Sequence, residues 1–171
     1  HPLAALGAGF NRVKAGDPVL VDIVHVHRGY VSDCTRIFSA GPLSTQWHER
    51  LEDMVQIRDS LVSNLGRGED CSVVWEKGSQ MAAQMGYEEH LMGMVPDQAK
   101  FLGHSVGLEL DESPVIARGF DRALGIGGTM AVEPKVIYPD GAIGTEDTWF
   151  RSKDGMECLT MGDSFPMFTE W

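Results

Sequence analysis

Apolar residues along this chain switch between a two-residue and a helical period, and the switches mark out its elements. Gly16-Asp17-Pro18 is a turn signal, after which Val19 to Val26 reads as a buried strand rich in β-branched residues. His27-Arg28-Gly29 supplies a turn, and Tyr30 to Phe38 reads as the return strand, ended by Gly41-Pro42. Ser44 or Thr45 can cap a helix on which Trp47, Leu51, Met54, Leu61 and Leu65 recur at helical spacing, with Gly66 as its stop. A second helix is predicted from Asp70 to Met85, with Val74, Met81 and Met85 inward and Gly86 as its stop. Methionines in such a stripe are core filler. From Phe101 the pattern returns to β, over Phe101 to Leu110, Met130 to Tyr138, Ala142 to Phe150 and a short Glu157 to Met161, punctuated by Pro96, Pro114 and Pro139. Gly125-Ile126-Gly127-Gly128 lacks the strand before and helix after that a nucleotide cradle needs, and reads as a turn. The order β-β-α-α-β-β-β-β predicts an α+β domain with a mostly antiparallel sheet.

Folding the two strongest hairpins brings acidic residues together. A first turn centred on His27-Arg28 opposes residues whose numbers sum to 55, which pairs Asp22 with Asp33 among apolar neighbours. Opposed residues share a face with Cβ atoms about 5 Å apart, where like charges repel. Such a pair needs hydrogen bonds or cations. Tyr138-Pro139-Asp140-Gly141 is a strong turn. Centred on Pro139-Asp140 it makes opposed numbers sum to 279 and pairs Glu133 with Glu146, unless a bulge at Gly141 slips the register. His104 lies in a strand context. Four carboxylates and an imidazole make a hard, oxygen-rich donor set, suited to Mn²⁺, Fe²⁺ or Co²⁺ rather than to a thiolate zinc site. Four negative charges balance two divalent cations. Against this, a single acidic residue in a strand is usually a solvated edge charge.

Composition narrows the field. The 171 residues suit one domain with a sizeable core. A net charge of −11 argues against a nucleic-acid or anionic-membrane surface and is compatible with bound cations. Cys34, Cys71 and Cys158 form no C-x-x-C pair, so neither a zinc knuckle nor a redox motif is suggested. A reducing cytoplasm is the default expectation. There is no 18-residue apolar run and no signal-peptide pattern.

These residues have a familiar wording. Gly16-Asp17-Pro18-Val19-Leu20-Val21-Asp22 with Gly29-Tyr30-Val31-Ser32-Asp33-Cys34-Thr35-Arg36-Ile37-Phe38 resembles the first metal-binding segment of the pita-bread (creatinase/aminopeptidase) metallopeptidases, which include prolidase, aminopeptidase P and methionine aminopeptidase. Gly103-His104-Ser105-Val106-Gly107-Leu108 resembles their histidine segment, Val132-Glu133-Pro134-Lys135 their first glutamate segment, and Gly144-Thr145-Glu146-Asp147 with Gly155-Met156-Glu157-Cys158-Leu159-Thr160 their last. Thr35-Arg36-Ile37-Phe38 is closer to the Xaa-Pro peptidase branch than to methionine aminopeptidase.

The resemblance implies a curved, mostly antiparallel sheet with helices on one face. It implies two divalent ions, Mn²⁺ or Co²⁺ foremost with Fe²⁺ or Zn²⁺ as alternatives. Asp22 would bind one ion, Asp33 and Glu146 would bridge the pair, and His104 and Glu133 would complete the second. The cations would acidify a water and stabilise the tetrahedral oxyanion, with Glu133 carrying a proton to the leaving amine. The implied reaction is hydrolysis of the N-terminal bond of Xaa-Pro peptides, with Glu133 and His104 as catalytic residues. Alternatives are the same site acting on another amide or small molecule, and a metal-free peptide-binding module.

Departures from the family pattern bear on substrate. Lys100 and Asp111 stand where accessory histidines are common, a further histidine is expected near Ala5 or Leu6, and Gly144 replaces a basic residue. His90, after Glu88-Glu89, is either a stand-in or a solvated side chain. The resemblance further implies that 1–171 is part of a catalytic domain, with motifs over about 16–160 and its N-terminal part missing. The apolar surface so exposed would be covered by that segment or by a second copy. The full-length protein is expected to be a cytoplasmic homodimer taking a small peptide, without nucleic-acid or membrane partners.

Overall fold

A computed structural model describes residues 10, 12–162 and 166–171, so the positions near Ala5 and Leu6 lie outside the described residues. β1 (Val19–His27) and β2 (Tyr30–Ser39) form the first hairpin, with His27 opposite Tyr30. Its two turn residues are Arg28 (φ 53°) and Gly29 (φ 88°), a left-handed pair of the kind that matches strand twist. The turn therefore centres one residue later than expected. Asp22 faces Thr35, and Asp33 faces Val24, rather than each other. Opposed numbers move by two, and since side chains alternate with a period of two, no residue changes face. Asp22, Asp33 and Thr35 stay on one side.

Ser44 caps α1 (Thr45–Arg67), its Oγ accepting a hydrogen bond from the Trp47 amide at 3.4 Å. The helix runs through Gly66 and stops at Gly68 (φ 82°), whose amide bonds the Leu65 carbonyl at 2.9 Å. Gly66 is spent on close packing, because a Cβ there would lie 3.4 Å from Met156 Cγ. α2 (Cys71–Gln84) follows Asp70 and gives way to Gly86 (φ 84°). Val74 is fully buried, while Met81 and Met85 pack half-buried against the core. Gly78 lets α2 approach α1, since a Cβ there would stand 2.6 Å from Leu61 Cδ2. The α1 stripe of Leu51, Met54, Ile57, Leu61 and Leu65 is buried throughout, and truncating one such residue to Ala costs about 2–5 kcal/mol.

The remaining strands are β3 (Phe101–Ser105), β4 (Glu112–Ala117), β5 (Thr129–Val132), β6 (Lys135–Tyr138), β7 (Gly141–Gly144), β8 (Asp147–Ser152), β9 (Gly155–Cys158) and β10 (Phe168–Glu170). They make a five-stranded antiparallel sheet β4-β3-β5-β8-β9, a two-stranded β6-β7, and β1-β2-β10, in which β10 runs parallel to β2. Sequence pattern missed β4 because Pro114 lies inside it, which β4 tolerates as an edge strand. The strand expected to reach Leu110 ends at Ser105, after two register irregularities against β4.

The second hairpin holds the expected register without a bulge. Tyr138 opposes Gly141, Lys135 opposes Gly144, Val132 opposes Asp147 and Thr129 opposes Phe150, every pair summing to 279. The two predicted long strands each break in the middle, so β5-β8 and β6-β7 are separate ladders on one register. At the break β2 inserts: the Thr35 amide bonds the Glu146 carbonyl at 3.1 Å. Among the described residues no helix is long and apolar enough to cross a membrane.

Among the described residues β1 is the terminal strand of its sheet, with Val24 (49%), Val26 (58%) and Tyr30 (65%) exposed on and beside it. An open apolar edge recruits a further strand. The chain is therefore expected to self-associate in light scattering, and Val24→Lys to weaken that association; a wild-type chain monodisperse at monomer mass would contradict this.

Candidate metal centre

The predicted ligands come from β1, β2, β3 and the two edges of the break between the ladders. Asp33 on β2 is clamped to β8, its amide donating to Thr148 Oγ at 2.9 Å and Thr148 Oγ donating to the Asp33 carbonyl at 2.9 Å. Glu133 follows β5, its amide bonded to the Leu102 carbonyl at 3.0 Å. Glu146 precedes β8, and its Oε2 accepts a 2.7 Å bond from the Thr35 hydroxyl. Beneath it, the fully buried Arg36 bonds Asp147 at 2.9 Å and the carbonyls of Thr35, Glu146 and Thr160. That pair locks β2 to β8 and so fixes the spacing between Asp33 and Glu146.

His104 sits on β3 with Nδ1 3.2 Å from the Ser105 carbonyl. A carbonyl only accepts, so Nδ1 carries a proton and Nε2 is the nitrogen turned toward the acids. Nε2 is 3.3 Å from Glu133 Oε1 and 3.9 Å from Asp33 Oδ2. Asp33, His104 and Glu146 each offer a ligand atom within 4.8 Å of the others, and all three are buried. Asp22 stands outside this trio. Its side chain is 50% exposed, and among the described residues its ion pair is with Lys135 at 3.5 Å.

Lys135 was not among the residues singled out from sequence. Its Nζ lies 2.9 Å from Glu133 Oε2 and 2.8 Å from Glu146 Oε2, as well as 3.5 Å from Asp22. The signal was available, because in the strand expected over Met130 to Tyr138 Lys135 follows Glu133 by two residues and so shares its face. It also opposes Gly144, and a Cβ at Gly144 would meet Lys135 Cα, Lys135 Cγ and the Pro134 carbonyl, each at 2.6 Å. Position 144 is thus small because the lysine stem crosses it. Asp111 Oδ1 lies 3.5 Å from His104 Nδ1, while Lys100 is exposed before β3. His90 is neither solvated nor a stand-in ligand: its ring stacks on Tyr138 at 3.9 Å and Nδ1 donates to the Ile137 carbonyl at 3.0 Å.

Burial and mutual repulsion set the charges. Burial, reinforced by Asp22, pushes the Asp33 carboxyl up to about 6. Burial also raises Glu146, to about 7, against the pull of Lys135. For His104, burial pushes downward, but hydrogen bonding and charge from Glu133, with the Ser105 carbonyl, carry the imidazole up to about 9. Burial likewise opposes the charged form of Glu133, yet His104 and Lys135 hold its carboxyl below the usual range. A divalent cation fits beside Asp33: among the described residues its Oδ1 is buried with no hydrogen-bond partner, and the donors gathered there are the carboxylates of Asp33 and Glu146 and the His104 imidazole.

Comparison with known proteins gives the family and the fold. Residues 4–151 match the model of Metallopeptidase family M24. The chain is 28% identical over 155 residues to an Xaa-Pro dipeptidase of Lactobacillus delbrueckii subsp. lactis, covering 90% of this chain and 40% of that protein. The Xaa-Pro dipeptidase of Pyrococcus horikoshii is 27% identical over 154 residues, covering 90% and 42%. The chain thus spans about two-fifths of the length of these curated relatives. The crystal structure of the prolidase from P. horikoshii OT3 superposes with a TM-score of 0.80 at 27% identity, covering 91% of this chain and 43% of that one. An X-Pro aminopeptidase from Thermotoga maritima superposes with a TM-score of 0.85 at 23% identity, covering 99% and 46%, a likeness of fold.

Two outcomes follow. Gly144→Ala should displace the Lys135 stem and lower the melting temperature, by roughly the 1–3 kcal/mol that overpacking costs; an unchanged melting curve would refute the close fit. The raised acids give a pH signature with a definite sign. Their protonated forms favour the folded state, so the metal-free chain loses stability as pH rises through about 6 and 7. Mn²⁺ competes with those protons and binds less tightly as pH falls through the same window. In thermal melts, the gap between Mn²⁺-treated and EDTA-treated protein should therefore widen from pH 5 to pH 8; a constant gap would contradict the assignment.

Proposed function

The chain belongs to metallopeptidase family M24, and from that premise we propose that the protein carrying it hydrolyses the N-terminal peptide bond of Xaa-Pro peptides with the help of divalent metal, Mn²⁺ or Co²⁺ foremost. The observation that carries the reading is the buried trio of Asp33, His104 and Glu146, in which the Asp33 carboxylate has one buried oxygen without a hydrogen-bond partner among the described residues. Asp33, His104 and Glu146 hold the cation, with Glu133 beside it and Asp22 at the solvent side. The metal supplies a Lewis acid that lowers the pKa of water and polarises the scissile carbonyl.

Around that chemistry the chain's own groups manage protons and position. Glu133 stays ionised between His104 and Lys135, so it can take a proton from the attacking water and return it to the proline nitrogen as the C–N bond breaks. His104 is held in one tautomer by the Ser105 carbonyl. Thr35 holds the Glu146 carboxylate against rotation, and Thr148 anchors the Asp33 backbone to β8, which keeps both acids in place while charge develops. The chain is the metal-binding part of the catalytic domain, and the whole protein acts as a homodimer on small peptides in the cytoplasm.

Asp111 beside His104, and Gly144 opposite Lys135, favour a second reading in which the same site cleaves an amide other than a prolyl bond. A panel of Xaa-Pro and non-prolyl substrates separates the two. For the leading reading, Mn²⁺ or Co²⁺ should restore Xaa-Pro dipeptide cleavage to chelator-treated full-length protein, and Glu133→Gln should lower kcat about 10²–10⁴-fold. No turnover of prolyl substrates with any divalent metal would defeat it, and protein that retains less than one metal per chain would point to a binding module.

A further inference from the structure

The break between the two ladders already holds a positive charge of the protein's own. Lys135 Nζ is within 2.9 Å of Glu133, 2.8 Å of Glu146 and 3.5 Å of Asp22, three carboxylates delivered by three different parts of the sheet. Two of the ammonium's three N–H donors bond Glu133 and Glu146, and Asp22 adds an ion pair at 3.5 Å. The lysine side chain is 12% exposed, Glu133 10% and Glu146 1%, so these two contacts are shielded from water and salt, while Asp22 faces solvent. Its stem is fixed by the β6-β7 register, where Gly144 leaves space for it that no other residue would. A divalent ion bonded to Asp22 and Glu146 at about 2.0–2.2 Å would stand against this ammonium and be repelled by it. The trio of Asp33, His104 and Glu146 shares Glu146 with Lys135, Glu133 bridges Lys135 to His104, and among the described residues the carboxylate oxygen of this cluster left buried without a hydrogen-bond partner is Asp33 Oδ1, an acid the ammonium does not bond.

We propose that the Lys135 ammonium takes the place of one of the two metal ions, so that the centre binds a single divalent cation at Asp33, His104 and Glu146. Asp22 then serves as a counter-charge to lysine rather than as a metal ligand. The inference rests on the reading of this cluster as a metal centre, but not on the substrate assigned to it. Lysine, unlike a second ion, is never lost by dilution or chelation, so one half of the cationic centre is permanent.

Mn²⁺ alone is the probe. After equilibrium dialysis and elemental analysis the wild-type chain should hold one Mn²⁺, with the six-line electron paramagnetic resonance spectrum of an isolated ion. Lys135→Met, of similar length but neutral, should hold two and show the multiline signal of an exchange-coupled pair. Lys135→Arg should keep one. Two coupled ions in the wild type, no bound ion in the wild type, or a folded Lys135→Met that still holds one, would each overturn the proposal. If Lys135→Met does not fold, the wild-type and Lys135→Arg stoichiometries decide alone. Failure of the prolyl-peptidase reading looks different: one Mn²⁺ bound without prolyl turnover counts against that reaction only, and two Mn²⁺ bound with turnover counts against the role of Lys135 only.

Discussion

Carboxylates gathered in a buried place repel one another and lose their hydration, and this fold is organised around offsetting both costs. Asp33, Glu133 and Glu146 are 5%, 7% and 1% exposed, within reach of one histidine and one lysine. Their altered affinities for protons express that tension, two acids being pushed upward by burial while Glu133 is held down by its cationic neighbours. A cluster of this kind persists only if positive charge, from side chains or from metal, is present in the native state.

Rigidity around the cluster comes from polar contacts that are themselves buried. Arg36 and Asp147 are both fully buried and tie β2 to β8, while Thr148 and Thr35 each fix an acidic neighbour. Removing one partner of such a pair leaves a stranded charge, which is costly, so the arrangement is over-determined. The helices serve the site at one remove. The buried stripe of α1 and the close α1–α2 crossing at Gly78 support the sheets from behind, and they leave the acidic face of the strands free.

Much of this was legible in the residues as written. The hairpin at Pro139-Asp140 has the register that its turn residues predict, because a two-residue turn with flanking alternation leaves few other pairings. The first hairpin was misplaced by one residue in its turn, since Gly29 rather than His27 takes the left-handed conformation, yet every face assignment survived because the slip in opposed numbers was even. α1 was legible in its period but not in its end, for Gly66 is small to admit Met156 rather than to stop the helix. β4 and β10 were illegible, one hidden by Pro114 and the other too short to carry a pattern.

By itself, the sequence determined which side chains share a face and which strands turn back on each other, because those follow from local alternation and turn geometry. Tertiary structure alone decided which of the acids meet. β2 enters the gap between the ladders and brings Asp33 beside Glu146 across more than a hundred residues, a contact no local period encodes. It also decided that Asp22 stands apart and that Lys135 reaches into the cluster, since the reach of a long flexible side chain depends on what space its neighbours, here Gly144, leave open.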